Sequence, residues 1–273
     1  MKPYILSAFL LIIFYNNLLA QKKEVTKPFT LGEVRTIQSS ALKETRTINV
    51  YLPDGYSADS AKTYPVIYLL DGSANEDFIH VAGLIQFLTM IEAMPKSILI
   101  GIANIDRRRD FTFPTNIEQD LKDFPTTGKS EKFIAFVETE LQPFITKNYK
   151  TNASKTIIGQ SLGGLVATEI LLKKPALFST YMIISPSLWW NNESLLSEVP
   201  KYLSNTLPGN TQVFITVGSE GKQMEDDAKK LSEILELNKQ LKINLLPLPD
   251  ENHSTILHNG LYKGFGILYP KKK

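Results

Sequence analysis

One stretch restricts this chain more than any other: Gly159-Gln160-Ser161-Leu162-Gly163-Gly164. Thr156, Ile157 and Ile158 precede it and read as a buried strand. Leu165 to Leu172 follow with a helical pattern that stops at Pro175. A strand, a tight Gly-x-Ser-x-Gly turn and a helix form the context of a nucleophile elbow. Such a turn holds its serine in strained backbone geometry and projects Oγ from the end of a sheet. Gly159 and Gly163, without Cβ atoms, would let strand and helix pass closely. The helix N-terminus beneath Ser161 would offer unpaired N–H groups to a developing oxyanion.

Composition narrows the partners. Lys+Arg 30 against Asp+Glu 28 leaves a net charge of +2, which gives nucleic acid no electrostatic footing. The chain has no cysteine, so disulfides, thiolate metal sites and CxxC redox chemistry are excluded. Met1-Lys2-Pro3, an apolar run from Tyr4 to Tyr15 and Leu18-Leu19-Ala20 before Gln21-Lys22-Lys23 read as a secretory signal peptide cleaved after Ala20. Asn16 and Asn17 interrupt a run already short for a membrane span. An uncleaved anchor is the alternative. The expectation is a signal peptide at 1–20, a single domain at 21–273, and a periplasmic or secreted protein with no stable span after cleavage.

Glu33 to Gln38 and Thr45 to Leu52 read as strands joined by a polar turn, an antiparallel pair at a sheet edge. Pro65 to Leu70 is a continuous apolar run, as are Ser97 to Ala103 and Thr180 to Ser185, which suits strands buried on both faces. Thr211 to Val217 and Ile243 to Leu248 complete the strands. Helices are expected over 76–94, 130–148, 165–172, 193–203, 224–241 and 255–267, with a long polar segment from Asn104 to Lys129. This alternation predicts an α/β sandwich with a mostly parallel central sheet, an antiparallel N-terminal edge and helices on both faces. Asp71-Gly72-Ser73-Ala74 does not supply the Gly-x-Gly-x-x-Gly of a dinucleotide fold, and no cofactor is expected.

Ligands of such sheets bind at the carboxyl ends of the strands. Three strand-end loops hold, in order, Ser161, Glu220 and His253. Serine, acid, histidine is the chain order of hydrolases of this architecture. His253 would take the Ser161 proton and return it to the leaving alcohol, while a carboxylate on Nδ1 fixes its tautomer. His80 and His258, the other two histidines, fall within expected helices. Glu220 directly follows a strand end and is preferred as the acid over Asp226, which opens the next helix; a Ser–His dyad without an acid is a third arrangement. The oxyanion donors would be the N–H groups of Leu162 and Ser73, each worth roughly 3 kcal/mol in a transition state.

Longer matches carry a resemblance. Arg46-Thr47-Ile48-Asn49-Val50-Tyr51-Leu52-Pro53 and Tyr64 to Gly72 resemble the esterase D-like (Putative esterase) family of α/β hydrolases. Gly101 to Thr112 is similar to its ferric-enterobactin-esterase-like branch; Gly159 to Gly164, Ser185 to Trp190, Val217 to Glu220 and Glu251-Asn252-His253 complete the match. The resemblance implies an α/β-hydrolase fold, ester hydrolysis, Ser161 and His253 as nucleophile and base, and Glu220 as acid. Phe113 departs from it, standing where relatives pass from Thr directly to Pro.

The expected partner is a small-molecule ester, with siderophore lactones and aryl or acyl-sugar esters as candidates. Arg107 could receive an anionic substrate, unless nearby acids pair with the Arg107-Arg108-Arg109 cluster. Trp189 and Trp190 could form an aromatic wall, or one of them could fill the core. An acyltransferase on the same triad and a non-catalytic carbohydrate-associated binding module are the competing functions. No metal is expected, because no His-Glu-x-x-His and no ligand set at metal spacing is present. No pattern here encodes an oligomeric state.

Overall fold

The computed structural model describes residues 26–202 and 209–270. The signal-peptide reading of residues 1–20 lies outside them. The chain divides into Met1–Thr30 and Leu31–Lys273. Of the first unit only residues 26–30 are described, without helix or strand. All the described helices and strands belong to the second.

Eight strands form a single sheet in the order β1-β2-β4-β3-β5-β6-β7-β8. β1 (Glu33–Ser39) and β2 (Glu44–Tyr51) pair antiparallel, and β2 lies antiparallel to β4 (Ile98–Ile102). β3 (Tyr64–Leu69), β5 (Thr151–Gln160), β6 (Thr180–Ile184), β7 (Thr211–Gly218) and β8 (Leu241–Leu248) continue it with parallel neighbours. The continuous apolar runs have the expected cause. β4 and β6 are buried along their whole length, whereas β8, at the far edge, is only partly covered.

Alternate residues of each strand feed opposite faces. Ile157 belongs to one core and Ile158 to the other. α1 (Phe78–Met90) and α9 (Ile256–Leu268) cover one face. The other carries α4 (Ser130–Phe136), α5 (Gln142–Asn148), α6 (Leu162–Lys173), α7 (Trp190–Tyr202) and α8 (Lys222–Leu235). The polar segment 104–129 is not wholly irregular, since it folds α2 (Arg107–Phe111) and α3 (Glu118–Asp123). Asp106 caps α2 by accepting a hydrogen bond from Arg109 N at 3.0 Å.

Several boundaries differ from the sequence expectation: α8 ends at Leu235 and β8 begins at Leu241, where a helix to 241 is expected, and three further departures have local reasons. α1 stops at Met90 because Glu92 turns left-handed, at φ 55°. The single helix expected over 130–148 contains a π turn, Val137–Leu141, between α4 and α5. α7 has three left-handed residues in its first turn, Asn191 (φ 49°), Asn192 (φ 55°) and Glu193 (φ 58°), and Pro200 lies inside it near its end.

Candidate active site

The parallel strands end in loops on one edge, and backbone bonds knit those ends together. Ser161 N donates to Ile184 O at 3.0 Å, Ser187 N to Ser161 O at 3.0 Å and Ser185 N to Thr216 O at 2.8 Å. Three strand ends turn through left-handed residues other than glycine: Asp71 (φ 54°), Ser161 (φ 59°) and Ser185 (φ 42°). Such conformations cost about 1–3 kcal/mol each and persist only where the surrounding packing enforces them. At the elbow the enforcement is steric. A Cβ on Gly159 would lie 2.2 Å from Gly163 O, and one on Gly164 would lie 2.9 Å from Pro186 Cα. Gly163 itself has ordinary room, its nearest neighbour being Asp71 Oδ2 at 3.4 Å. The close passage therefore falls to Gly159 and Gly164, not to the pair named by the motif.

Ser161 and His253 line one open cleft of about 370 Å³ with Ser187, Trp189, Glu220 and Met224 among its other walls. His253 Nδ1 lies 2.5 Å from Glu220 Oε2. The other carboxylate oxygen, Oε1, accepts from Ser185 Oγ at 2.5 Å and from Gly218 N at 3.0 Å. The Glu220 side chain is only 3% exposed. Burial acts to raise its carboxyl, but the hydrogen bonds from His253, Ser185 and Gly218 outweigh burial and hold it below the usual carboxylate range. Asp226, the alternative acid, instead pairs with Lys222 on the exposed side of α8. Gln160 Nε2 donates to the His253 carbonyl, which fixes the histidine loop against the elbow.

Ser161 Oγ is 3.2 Å from Ser187 Oγ and makes no hydrogen bond to His253. Leu162 opens α6, where its N–H has no intrahelical acceptor. The loop after β3 is held by Asn49 Nδ2 on Gly72 O at 2.8 Å. Ser73 N, the other expected oxyanion donor, is donated to Glu76 Oε2 at 3.3 Å.

The arginine cluster is bound within the protein. Arg107 forks onto Asp71 (Nε to Oδ1 2.6 Å, Nη2 to Oδ2 3.0 Å) and reaches Gln160 O at 3.2 Å. Arg108 donates to Asp123 O, and Arg109 pairs with Asp110 and Glu44. The acids that hold the cluster include Asp71 and Glu44, which the local sequence does not point to. The two tryptophans separate. Trp189 lines the cleft, whereas Trp190 is 0% exposed and donates Nε1 to Phe113 O at 2.9 Å. The expectation that Trp190 meets substrate is thus corrected: it fills the core behind Trp189.

Sequence reading missed Ser185 and Ser187. Both follow the end of β6, in the Ser185 to Trp190 stretch that carries part of the family resemblance, but that stretch gave neither serine a role. A larger cavity of about 1220 Å³, lined by Met90, Lys96 and Tyr269 among others, contains no histidine.

A mostly parallel sheet in this strand order, with a strained serine turn and a histidine–carboxylate pair at its carboxyl edge, defines an α/β hydrolase. The chain belongs to the esterase family described as "Putative esterase", whose model matches residues 39–255, and it is a carboxylic ester hydrolase. Ferri-bacillibactin esterase BesA of Bacillus subtilis is 29% identical over 262 residues, which cover 84% of this chain and 87% of that protein. Siderophore enterobactin esterase of Emericella nidulans is 26% identical over 171 residues, covering 52% of this chain and 56% of the relative. Among solved structures, an IroE-like serine hydrolase from Shewanella oneidensis superposes with a TM-score of 0.80 at 31% identity, over 87% of this chain and 80% of that one. BES protein from Bacillus cereus gives 0.78 at 30% identity, over 91% of this chain and 100% of its own.

Proposed function

We propose that this esterase cleaves the ester bonds of a siderophore lactone or a related aryl ester through an acyl-enzyme on Ser161, with His253 as base and Glu220 as acid. The observation that carries this reading is the 2.5 Å bond from His253 Nδ1 to a buried, multiply hydrogen-bonded Glu220, in a cleft that also holds the strained Ser161. The carboxylate fixes the tautomer that leaves Nε2 bare and stabilises the imidazolium formed later.

In this mechanism substrate draws the Ser161 hydroxyl from Ser187 to His253, as hydrogen bonds that are slack in a free enzyme tighten in its complex. Oγ attacks the carbonyl carbon while Nε2 takes the proton, and the carbonyl oxygen becomes an oxyanion on the Leu162 N–H. Ser73 N–H joins it once Glu76 releases that amide. Collapse of the tetrahedral intermediate expels the alcohol, protonated by His253. Water then repeats the sequence and frees the acid and Ser161. The His253 side chain is 46% exposed, which leaves water a route to the acyl-enzyme.

The relatives named for siderophore esters support the substrate class. Trp189 offers an aryl group one wall of the cleft. Arg107, engaged with Asp71 and with the residue before Ser161, acts as a positioning residue and not as an anion receptor. The N-terminal pattern supports a periplasmic or secreted location for the activity, and among the described residues no helix is long and apolar enough to cross a membrane.

The test is turnover of p-nitrophenyl esters of rising chain length, feruloyl esters and a ferric tris-catecholate trilactone by purified protein. Preference for the trilactone or the aryl esters is the expected result. Failure to hydrolyse any of them would remove the proposal.

A further inference from the structure

Two of the chain's three histidines lie 178 residues apart in sequence yet meet in space. His80, in the first turn of α1, and His258, in the first turn of α9, bring their Nδ1 atoms to 3.3 Å, with ring centroids 5.5 Å apart and planes inclined by 44°. His80 Nε2 is 3.2 Å from Asp77 Oδ1. That carboxylate only accepts, so it suits the neutral His80 tautomer with its hydrogen on Nε2, the form whose Nδ1 lone pair is free to bind a cation. The geometry points to a site for a divalent d-block cation such as Zn²⁺, held between α1 and α9 by the Nδ1 atoms of His80 and His258.

The separation matches the chemistry. Zn–N bonds of about 2.0–2.1 Å at a tetrahedral angle place neighbouring ligand nitrogens about 3.3–3.4 Å apart. Asp77 on the far nitrogen of His80 is the carboxylate that orients a metal-bound imidazole and raises its basicity. Without metal, His258 donates its own Nδ1 hydrogen across the gap. On binding, that hydrogen passes through solvent to Nε2, and both Nδ1 lone pairs face the ion. Among the described residues no third His, Cys, Asp or Glu completes the set, so water fills the remaining positions. The side chains of His80 and Asp77 are 36% and 31% exposed, which leaves the site open to entering metal. The ion would tie α1 to the first turn of α9, just after the loop that carries His253.

The experiment is calorimetric titration of untagged full-length protein with Zn²⁺, with the thermal midpoint as a second readout. One Zn²⁺ per chain should bind, and it should raise the midpoint by mass action. His80→Gln and His258→Gln should each abolish both effects. Asp77→Asn should weaken binding by roughly tenfold, and because it leaves both ligands in place it guards against misfolded histidine variants. His253→Gln should bind like wild type. The proposal fails if wild-type protein binds no Zn²⁺, if the His80/His258 double variant binds as tightly as wild type, or if His253→Gln removes the site.

Discussion

Glu220 concentrates the electrostatics of the cleft in one side chain. Its pKa is held low by His253, Ser185 and Gly218 against the opposing effect of burial, so the carboxylate stays ionised throughout the neutral range. Because the folded pKa is depressed, these bonds contribute stability above the unfolded pKa and lose it as pH falls through the folded one. Glu220→Gln should keep the fold and lower kcat by roughly 10²–10⁴-fold, as removing a triad acid does elsewhere; steady-state kinetics would check this. A loss confined to KM would contradict the acid role. Asp227 shows the opposite sign. Burial first, then Glu193 and Asp226, push it up to about 6, with Lys230 opposing. One of its oxygens is buried without a partner. A raised folded pKa gives stability that is full below the unfolded value and lost as pH rises through about 6. Asp227→Asn should therefore be more stable than wild type at pH 8 by on the order of 2 kcal/mol. The gain should shrink toward zero near pH 4, a trend that thermal melts across pH would follow.

Among the elements, strand ends and the short helices beside them do most of the positioning. The Arg107–Asp71 fork joins the end of β3 to α2 and to the Gln160 carbonyl, one residue before Ser161. Arg107→Lys keeps the charge but not the fork and should lower kcat with little change in KM, a split that initial-rate measurements resolve. Farther from the cleft, Arg46 and Asp110 form a fully buried pair at 2.6 Å that locks β2 to α2. Asp110→Ala leaves the buried Arg46 with Glu44, at 2.9 Å, as its remaining carboxylate and should destabilise the fold in denaturant unfolding by less than the roughly 3–5 kcal/mol of a wholly unpaired buried charge. The sequence shows these elements unevenly. The elbow was readable because strand, glycine turn and helix are contiguous. α2 and α3 were hidden by polar composition, although Asp106 as a cap was a usable signal. The choice between Glu220 and Asp226 stayed open in sequence, since both follow β7 closely. Chain direction in space separates them, turning one under His253 and the other onto the outer side of α8.

At the scale of the whole molecule, the sheet was legible because burial on both faces writes unbroken apolar runs, as in β4 and β6. The half-covered β8 follows from its place at the edge. Contacts between distant segments were not legible. The Ser185–Glu220 bond, the withdrawal of Trp190 into the core and the meeting of His80 with His258 all depend on packing that no local pattern encodes. The fold thus brings three remote loops to one edge, and the proposed chemistry needs all three. Labelling with a fluorophosphonate, followed by peptide mapping, tests that convergence most directly. A single adduct on Ser161, absent in Ser161→Ala and strongly slowed in His253→Ala, is the expected result. An adduct on Ser187 or elsewhere, or an unlabelled protein that still hydrolyses esters, would contradict it.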